Sequence, residues 1–266
     1  MKNYIQPYLL SVLLLLFAPI CFSQTAQQIY KGAGTPVNPK VTVSWNRYND
    51  HAGITAILKK IAAAYPKLAK LESIGKSYEG RDIWCIAITD YSKGVADKKP
   101  AMYIDGNIHS NEVQGSEFSM YTAWYLTESF ADTKFIQELL NDKIFYIVPT
   151  INPDARDAFF KEPNTASSPR SGRVPIDNDM DGLVDEDGYD DLDGDGNITQ
   201  MRRKNLNGRY KVDPKNPSRM TVVGTDEKGE YELLGVEGID NDGDGIINED
   251  GEAFEYDPNR DWGWNW

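Results

Sequence analysis

The chain has 266 residues, of which 41 are acidic, 28 are basic, two are histidines and two are cysteines, and its formal net charge is −13. Most of the acidity lies between Asp177 and Asp257, where 24 acidic residues accompany eight basic ones. This distribution argues against nucleic acid as a partner, and the length suits one α/β domain or two small ones.

The first 23 residues form a predicted signal peptide. Lys2 precedes an apolar run at 8–20 that is too short and too early for an ordinary membrane span, and cleavage is expected after Ser23. A lipid-anchored Cys21 is the rival interpretation, which the residues before it disfavour. We therefore expect a secreted or periplasmic protein with no stable membrane anchor after cleavage.

After a Gly- and Pro-containing lead, the sequence predicts a helix that Pro66 ends. Its apolar positions recur at helical spacing, at Ile54, Ile57, Leu58, Ile61 and Tyr65. His51, at the start, is interpreted as a polar residue near a helix N-terminus. Two strands of a hairpin follow at 71–78 and 83–88. The second contains Cys85, the one cysteine left after cleavage, so no internal disulfide is expected. Because it lies within an apolar run, Cys85 is interpreted as a small core residue.

A strand, a helix and a further strand come next, which is the alternation of an α/β protein. A short apolar run at 101–104 predicts a buried strand, and helical segments are expected at 112–130 and 135–140. The run at 144–148 is apolar on both faces and is expected to be a central strand, before a turn signal at 150–154.

His109 and Glu112 lie where the predicted loop after the strand at 101–104 meets the next helix, a place where α/β proteins keep their sites. Asn111, with Gln114 three residues later, predicts an N-cap that places Glu112 in the first helical turn. An imidazole and a carboxylate at this spacing can bind one Zn²⁺ and leave two coordination positions open. The competing interpretation is a surface histidine beside a helix-capping acid.

An acidic motif recurs three times in the segment 171–257. Each copy opens Asp-x-Asp-x-Asp-Gly, the start of an EF-hand calcium loop, in which carboxylates at alternate positions converge on one ion. The predicted calcium ligands are Asp177, Asp179 and Asp181 in the first copy, Asp191, Asp193 and Asp195 in the second, and Asp240, Asp242 and Asp244 in the third. At least two structural Ca²⁺ ions are expected.

The glutamate that usually closes such a loop at the twelfth position is absent. Other final ligands are therefore expected, with Asp185, Asp187, Asn248 and Asp250 as candidates. The alternative is an acidic loop that stays disordered because it buries too little apolar surface.

Five short motifs occur in an order that resembles the zinc carboxypeptidase family, in particular its carboxypeptidase A-like members. They are Ser77-Tyr78-Glu79-Gly80-Arg81, His109-Ser110-Asn111-Glu112, Asn152-Pro153-Asp154, Met201-Arg202-Arg203-Lys204 and Pro258-Asn259-Arg260-Asp261-Trp262. The resemblance covers about residues 45 to 160 and resumes near 201 and 258. It implies an α/β fold with a mixed, largely parallel sheet flanked by helices, interrupted by an irregular calcium-loop insertion.

The resemblance also implies the domain organisation and the roles of five residues. The expected segments are a signal peptide at 1–23, a lead at 24–44, the N-terminal part of the catalytic domain at 45–170, the acidic insertion at 171–257 and the resumed catalytic domain at 258–266. His109 and Glu112 match the first two zinc ligands of the family. Asn259 and Arg260 match the pair that grips the C-terminal carboxylate of a peptide or protein substrate. Arg202, or Arg203 if the local alignment slips by one, matches the arginine that stabilises the oxyanion.

The third zinc ligand, the general-base glutamate and a substrate-binding tyrosine of the family lie beyond its Asn-Arg pair, whereas this chain has no histidine after His109. We therefore expect a truncated product or fragment, or a chain whose remainder is supplied elsewhere, with little or no peptidase activity by itself. If the chain proved active through His109, His51 would become the candidate third ligand. Asn111 stands where pancreatic-type members carry arginine, so their substrate preference is not carried over. Two other functions stay open: a non-catalytic calcium-dependent protein that binds peptide C-termini, and a calcium-stabilised surface module.

Overall fold

The computed structural model describes residues 36–165, 172–177, 180–250, 257–260 and 262–263. The predicted signal peptide with its cleavage site, and Asp179, lie outside these residues. Within 36–165 the structure describes four strands, four α-helices and a short 3-10 helix (Ala96–Lys98). The strands and α-helices follow in the order α1 (His51–Ala64), β1 (Ala69–Lys76), β2 (Asp82–Ile88), β3 (Ala101–Asp105), α2 (Val113–Glu128), α3 (Lys134–Asp142), β4 (Ile144–Val148) and α4 (Pro153–Lys161).

The first four strands form one mixed sheet in the order β1-β2-β4-β3. β2 pairs with β1 and with β4 in antiparallel orientation, and β4 pairs with β3 in parallel. The α/β fold and the central place of β4 are confirmed. A largely parallel sheet was expected, but two of the three described pairings are antiparallel, because a tight hairpin reverses the chain between β1 and β2.

The core lies where α1, α2 and α3 meet β2 and β4. Among its members, Ile54 and Leu58 of α1, Trp124 of α2 and Ile147 of β4 are all at most 2% exposed. α1 is the helix that the apolar spacing predicted, and the Asp50 side chain caps it by accepting a hydrogen bond from the Gly53 N–H at 2.8 Å. The periodicity was informative here because one face of the helix is buried.

β3 is exposed, although its apolar sequence predicted a buried strand. Met102 and Tyr103 are 54% and 59% exposed, because β3 pairs only with β4 among the described strands and lies at the edge of the sheet. The turn signal at 150–154 is followed by α4, a helix that the sequence analysis did not predict. Asn152 caps it by accepting a hydrogen bond from the Ala155 N–H, and Pro153 occupies its first turn.

The acidic segment contains a second sheet, where the sequence predicted only irregular calcium loops. Its strands are β5 (Gln200–Lys204), β6 (Tyr210–Asp213), β7 (Asn216–Val222) and β8 (Tyr231–Val236). They pair in the order β5-β8-β6-β7, and each described pairing is antiparallel. Along the chain, the first two acidic motifs precede β5 and the third follows β8. None of the helices in the described ranges has the length and apolar content needed to cross a membrane.

Candidate metal centre

The loop after β3 is fixed by close backbone packing. A Cβ on Gly106 would lie 2.7 Å from the carbonyl carbon of Gly115 in α2, so a glycine is required where the strand turns towards the helix. The loop closes with a hydrogen bond from the Glu112 N–H to the His109 carbonyl at 3.2 Å. The consequence is that His109, 2% exposed, and Glu112 are presented together at the start of α2.

The predicted cap of α2 is wrong in detail. Glu112, not Asn111, is the residue before the first helical turn, and its side chain makes no capping hydrogen bond. The turn between His109 and Glu112 shifts the helix start by one residue, which leaves Asn111 in the loop. The Oδ1 atom of Asn111 is buried and makes no hydrogen bond within the described residues. Glu112 is therefore free of a capping role and can act as a ligand.

The imidazole of His109 is contacted by a carboxylate at each ring nitrogen. Nδ1 lies 2.9 Å from Oε1 of Glu112, and Nε2 lies 3.0 Å from Oδ1 of Asp257. If Nε2 donates its proton to Asp257, Nδ1 turns a lone pair towards the carboxylate of Glu112. Two acceptors that face one point, one of them oriented by an outer carboxylate, suit a divalent cation such as Zn²⁺. The donor set therefore fits the metal that the sequence predicted.

Asp257 is a residue of this candidate site that the sequence analysis missed. It stands two positions before Asn259, and the available signal was the need of a buried histidine ligand for an outer carboxylate partner. The side chain of Asp257 also accepts a hydrogen bond from the Asn259 N–H at 2.8 Å, and its carbonyl accepts one from the Arg260 N–H at 2.8 Å. This turn brings Asn259 and the exposed Arg260 next to the His109 pair.

Arg202 lies elsewhere, on β5 of the second sheet. Its guanidinium is 4.8 Å from the centre of the Tyr231 ring, and Nη1 is 2.9 Å from Sδ of Met220. The neighbouring Arg203 pairs with Glu232 on β8. These contacts are all within the second sheet, and the role of Arg202 in stabilising an oxyanion stays a prediction.

Each acidic loop is closed by its first aspartate. Asp177, Asp191 and Asp240 accept hydrogen bonds from backbone N–H groups three to five residues later, at distances of 2.6 to 3.1 Å. The glycine at the sixth position has a φ of 82° in the second copy and 100° in the third, Gly196 and Gly245. The predicted sharp turn at this glycine is confirmed, because only glycine adopts these angles at low cost.

The carboxylates of the loops gather into four groups whose possible ligand atoms lie within 4.8 Å of one another. They are Asp240, Asp242 and Asp244; Asp191, Asp193 and Glu237; Asp187, Asp242 and Glu249; and Asp181, Glu186 and Asp242. Glu237, Glu186 and Glu249 were not among the predicted ligands, because they come from outside the alternating motif. The Asp195 side chain accepts a hydrogen bond from the Asn197 N–H and does not belong to the group of Asp191 and Asp193. The first predicted cluster includes Asp179 and so extends beyond the described residues.

The first and third copies of the motif face each other. The Asp250 N–H donates to the Asp187 carbonyl at 3.2 Å. The carboxyl group of Glu186 lies near that of Asp250, and the carboxyl group of Glu249 lies near that of Asp187. Burial raises the pKa of Glu186 and of Glu249 to about 7, and the partner carboxyl group adds to each shift. Carboxyl groups are thus held together against their mutual repulsion.

Comparison with known proteins places these features in a family. A family model described as zinc carboxypeptidase matches residues 54–266. Carboxypeptidase B of Astacus astacus is 37% identical over 113 residues, which cover 42% of this chain and 35% of that protein. Carboxypeptidase Z of Rattus norvegicus is 34% identical over 127 residues, covering 47% and 20%. The chain thus spans about a third or less of the length of these curated relatives.

Solved structures resemble the chain more distantly. Thrombin activatable fibrinolysis inhibitor matches with a TM-score of 0.47 and 23% identity over 57% of this chain and 36% of that one. A carboxypeptidase A from Helicoverpa armigera matches with a TM-score of 0.41 and 21% identity over 47% and 30%.

Proposed function

Because the chain belongs to the zinc carboxypeptidase family, we propose that the protein is a zinc-dependent metallocarboxypeptidase that removes C-terminal residues from peptides or proteins. The observation that carries the proposal is the His109 imidazole, held between Glu112 at Nδ1 and Asp257 at Nε2. In this arrangement Nδ1 of His109 and the Glu112 carboxylate would hold the metal, and Asp257 would keep the imidazole in the required tautomer and orientation.

The remaining site residues act on the substrate. Bound zinc supplies the Lewis acidity for hydrolysis of the peptide bond. The guanidinium of Arg260, with Asn259 beside it, offers a fork of N–H donors that suits the terminal carboxylate of a peptide. The exposed position of Arg260 leaves it accessible to a substrate chain. Arg202 is assigned the stabilisation of the oxyanion by family resemblance alone.

The 266 residues by themselves are expected to bind zinc weakly and to hydrolyse peptides slowly. Family resemblance assigns His109 and Glu112 as ligands, and structural zinc sites need four and catalytic sites three protein ligands. Among the described residues, we assign neither a third zinc ligand nor a general base to this site. Without a general base beside the zinc, no side chain would remove a proton from the attacking water.

Calcium is proposed as a second, structural cofactor of the acidic segment. The four carboxylate groups, and the approach of Glu186 to Asp250 and of Glu249 to Asp187, support this assignment, because clustered negative charge disfavours a compact state until a cation neutralises it. The alternative function, a non-catalytic protein that binds peptide C-termini and is stabilised by calcium, uses the same acidic segment and the same Arg260. It differs in having no need of zinc.

Export from the cytoplasm is part of the proposal. The apolar run at 8–20 and the expected cleavage after Ser23 support a secreted or periplasmic location. Calcium loops of this kind suit such a location, since weak extracellular modules bind at roughly 0.1–1 mM.

Calorimetric titration with zinc tests the proposed function. It is run in millimolar calcium so that the acidic segment is occupied before zinc is added. We expect one zinc ion to bind, and binding to be lost in His109→Ala and strongly weakened in Glu112→Ala. His51→Ala is the matched control, since it removes the other histidine of the chain. Zinc binding that depends on His51 but not on His109 would contradict the proposal.

A further inference from the structure

A fully buried arginine lies behind the loop that carries His109 and Glu112. Arg156 of α4 is 0% exposed and donates hydrogen bonds to four partners. Its Nε bonds the Asn49 carbonyl at 2.8 Å, its Nη2 bonds Oε1 of Glu117 at 2.8 Å, and its Nη1 bonds both Oδ1 of Asn107 at 2.8 Å and the Val113 carbonyl at 3.0 Å. One guanidinium thus joins α4 to both ends of the site loop.

The Asn107 side chain connects Arg156 with the backbone at His109. It is 2% exposed and has a φ of 58°, a left-handed conformation that asparagine tolerates better than most residues. Its Oδ1 accepts from Arg156, and its Nδ2 donates to the carbonyls of His109 and Ser110 at 2.5 and 3.2 Å. The side chain therefore braces the backbone of the first ligand.

Two hydrogen bonds, from Arg156 to Asn107 and from Asn107 to the His109 carbonyl, connect α4 with the loop that carries the metal-binding pair. The His109 carbonyl that Asn107 holds also accepts the hydrogen bond from the Glu112 N–H, which closes the turn between the two ligands. The carboxylate of Glu117, five residues after Glu112, compensates the buried charge of Arg156 at 2.8 Å. A lysine could pair with Glu117 but could not reach Asn107 and Val113 in the same plane.

We infer that Arg156 and Asn107 are positioning residues for the zinc site: they act through the loop backbone to set the distance and angle between the ligand atoms of His109 and Glu112. This inference rests on the proposed function. Neither side chain has a described hydrogen bond to the side chain of His109 or Glu112, so their influence on the metal would pass through the loop backbone. Outer groups that orient metal ligands contribute about 10- to 100-fold to metal affinity.

The test uses three variants of the 266-residue chain. Asn107→Asp keeps an oxygen for Arg156 and removes the Nδ2 donor, and Asn107→Gly keeps the left-handed backbone and removes the side chain. Arg156→Lys keeps the charge and removes the fork of donors. Glu128→Gln is the matched control. It alters a buried side chain at the other end of α2, where Glu128 accepts hydrogen bonds from the Lys40 N–H, the Val41 N–H and the Tyr65 hydroxyl.

Two quantities are measured: the zinc dissociation constant in millimolar calcium, and amide hydrogen exchange at Glu112 in the zinc-free chain. We expect each of the three variants to weaken zinc binding about ten-fold or more and to accelerate exchange at Glu112. Glu128→Gln should lower the unfolding midpoint while leaving both quantities unchanged. Zinc affinity and Glu112 exchange that stay at wild-type values in folded Asn107→Asp and Arg156→Lys would overturn the inference.

The outcome separates the inference from the function on which it rests. If wild-type protein binds zinc through His109 and the variants bind it equally well, the proposed function stands and the positioning role is wrong. If wild-type protein does not bind zinc through His109, the proposed function fails first. Exchange at Glu112 would still report whether Arg156 and Asn107 order the loop.

Discussion

Oδ1 of Asp257 lies 3.0 Å from Nε2 of His109, although 148 residues separate them in the chain. This contact links the loop after β3 to the turn at 257–260 that carries Asn259 and Arg260. Along the chain, most of the acidic segment therefore lies between the two stretches that together form the candidate site. The predictions below test the parts of this arrangement separately.

The first prediction concerns Asp257→Asn. The amide can still accept the hydrogen bond from the Asn259 N–H, but it no longer stabilises the Nε2-protonated tautomer of His109 with a full charge. We expect zinc affinity to fall about 10- to 100-fold, with little change in the unfolding midpoint. Calorimetry and thermal unfolding measure the two. An unchanged zinc affinity would show that Asp257 does not orient the ligand.

A second prediction concerns the turn at Gly106. Gly106→Ala places a methyl group 2.7 Å from the Gly115 carbonyl carbon and 3.1 Å from the Pro149 carbonyl oxygen, both of them backbone atoms. We expect a loss of about 1–3 kcal/mol in the free energy of unfolding, together with weaker zinc binding, because β3 and α2 must separate. Gly224→Ala is the control, since no atom lies within 4 Å of its added methyl group. Equal stabilities of the two variants in urea would contradict this account.

The third prediction concerns Asp154, whose ionisation is expected to affect the stability of the protein in acid. Burial raises the pKa of this carboxyl group, but hydrogen bonds from the Glu79 N–H, the Ser77 hydroxyl and the Arg81 guanidinium outweigh burial and hold the pKa below its usual range. A depressed folded-state pKa stabilises the protein above the unfolded-state value of about 3.9 and loses this effect as the pH falls through the folded-state value.

Asp154→Asn should therefore cost about 1–3 kcal/mol at pH 7, with a smaller difference from wild type at pH 3. Denaturant unfolding across this pH range measures it. The exposed Asp97 provides the control Asp97→Asn, which is expected to change stability by less than about 0.5 kcal/mol. A difference at Asp154 that does not shrink on acidification would show that its charge is not the cause.

Calcium binding should depend most strongly on Asp242, which belongs to three of the four carboxylate groups. We expect Asp242→Asn to weaken calcium binding more than any single change at Asp191 or Asp193, which occur in one group. In wild-type protein, millimolar calcium should slow proteolysis within 171–257, because ordering is coupled to binding. Asp226→Asn, an exposed acid of the same segment, is the control. Cleavage rates that ignore calcium would leave the segment as a solvated acidic region.

The sequence predicted those structural features whose cause lies in residues close together in the chain. The spacing of Ile54, Leu58 and Ile61 predicted α1, and the three-residue spacing of His109 and Glu112 predicted two side chains that the structure brings into contact. Asn152 and Pro153 carried a helix-start signal that was interpreted only as a turn. In these cases the physical cause lies within one turn of helix or one loop.

What the sequence did not predict depends on partners far along the chain. β5 reads Gln-Met-Arg-Arg-Lys and has no alternating apolar face, so its pairing with β8 was not expected. The apolar composition of β3 does not say how many strands flank it. Glu237 approaches Asp191 and Asp193 from the end of β8, where no repeat marks it as a ligand.

The central claim is that zinc binds between His109 and Glu112. The most direct measurement is an X-ray structure of the protein grown with zinc and calcium, with anomalous diffraction recorded on both sides of the zinc absorption edge. We predict a zinc peak about 2.0–2.2 Å from Nδ1 of His109 and from the Glu112 carboxylate, with Nε2 still bonded to Asp257. Zinc peaks confined to the acidic segment, with His109 and Glu112 still in direct contact, would contradict the account.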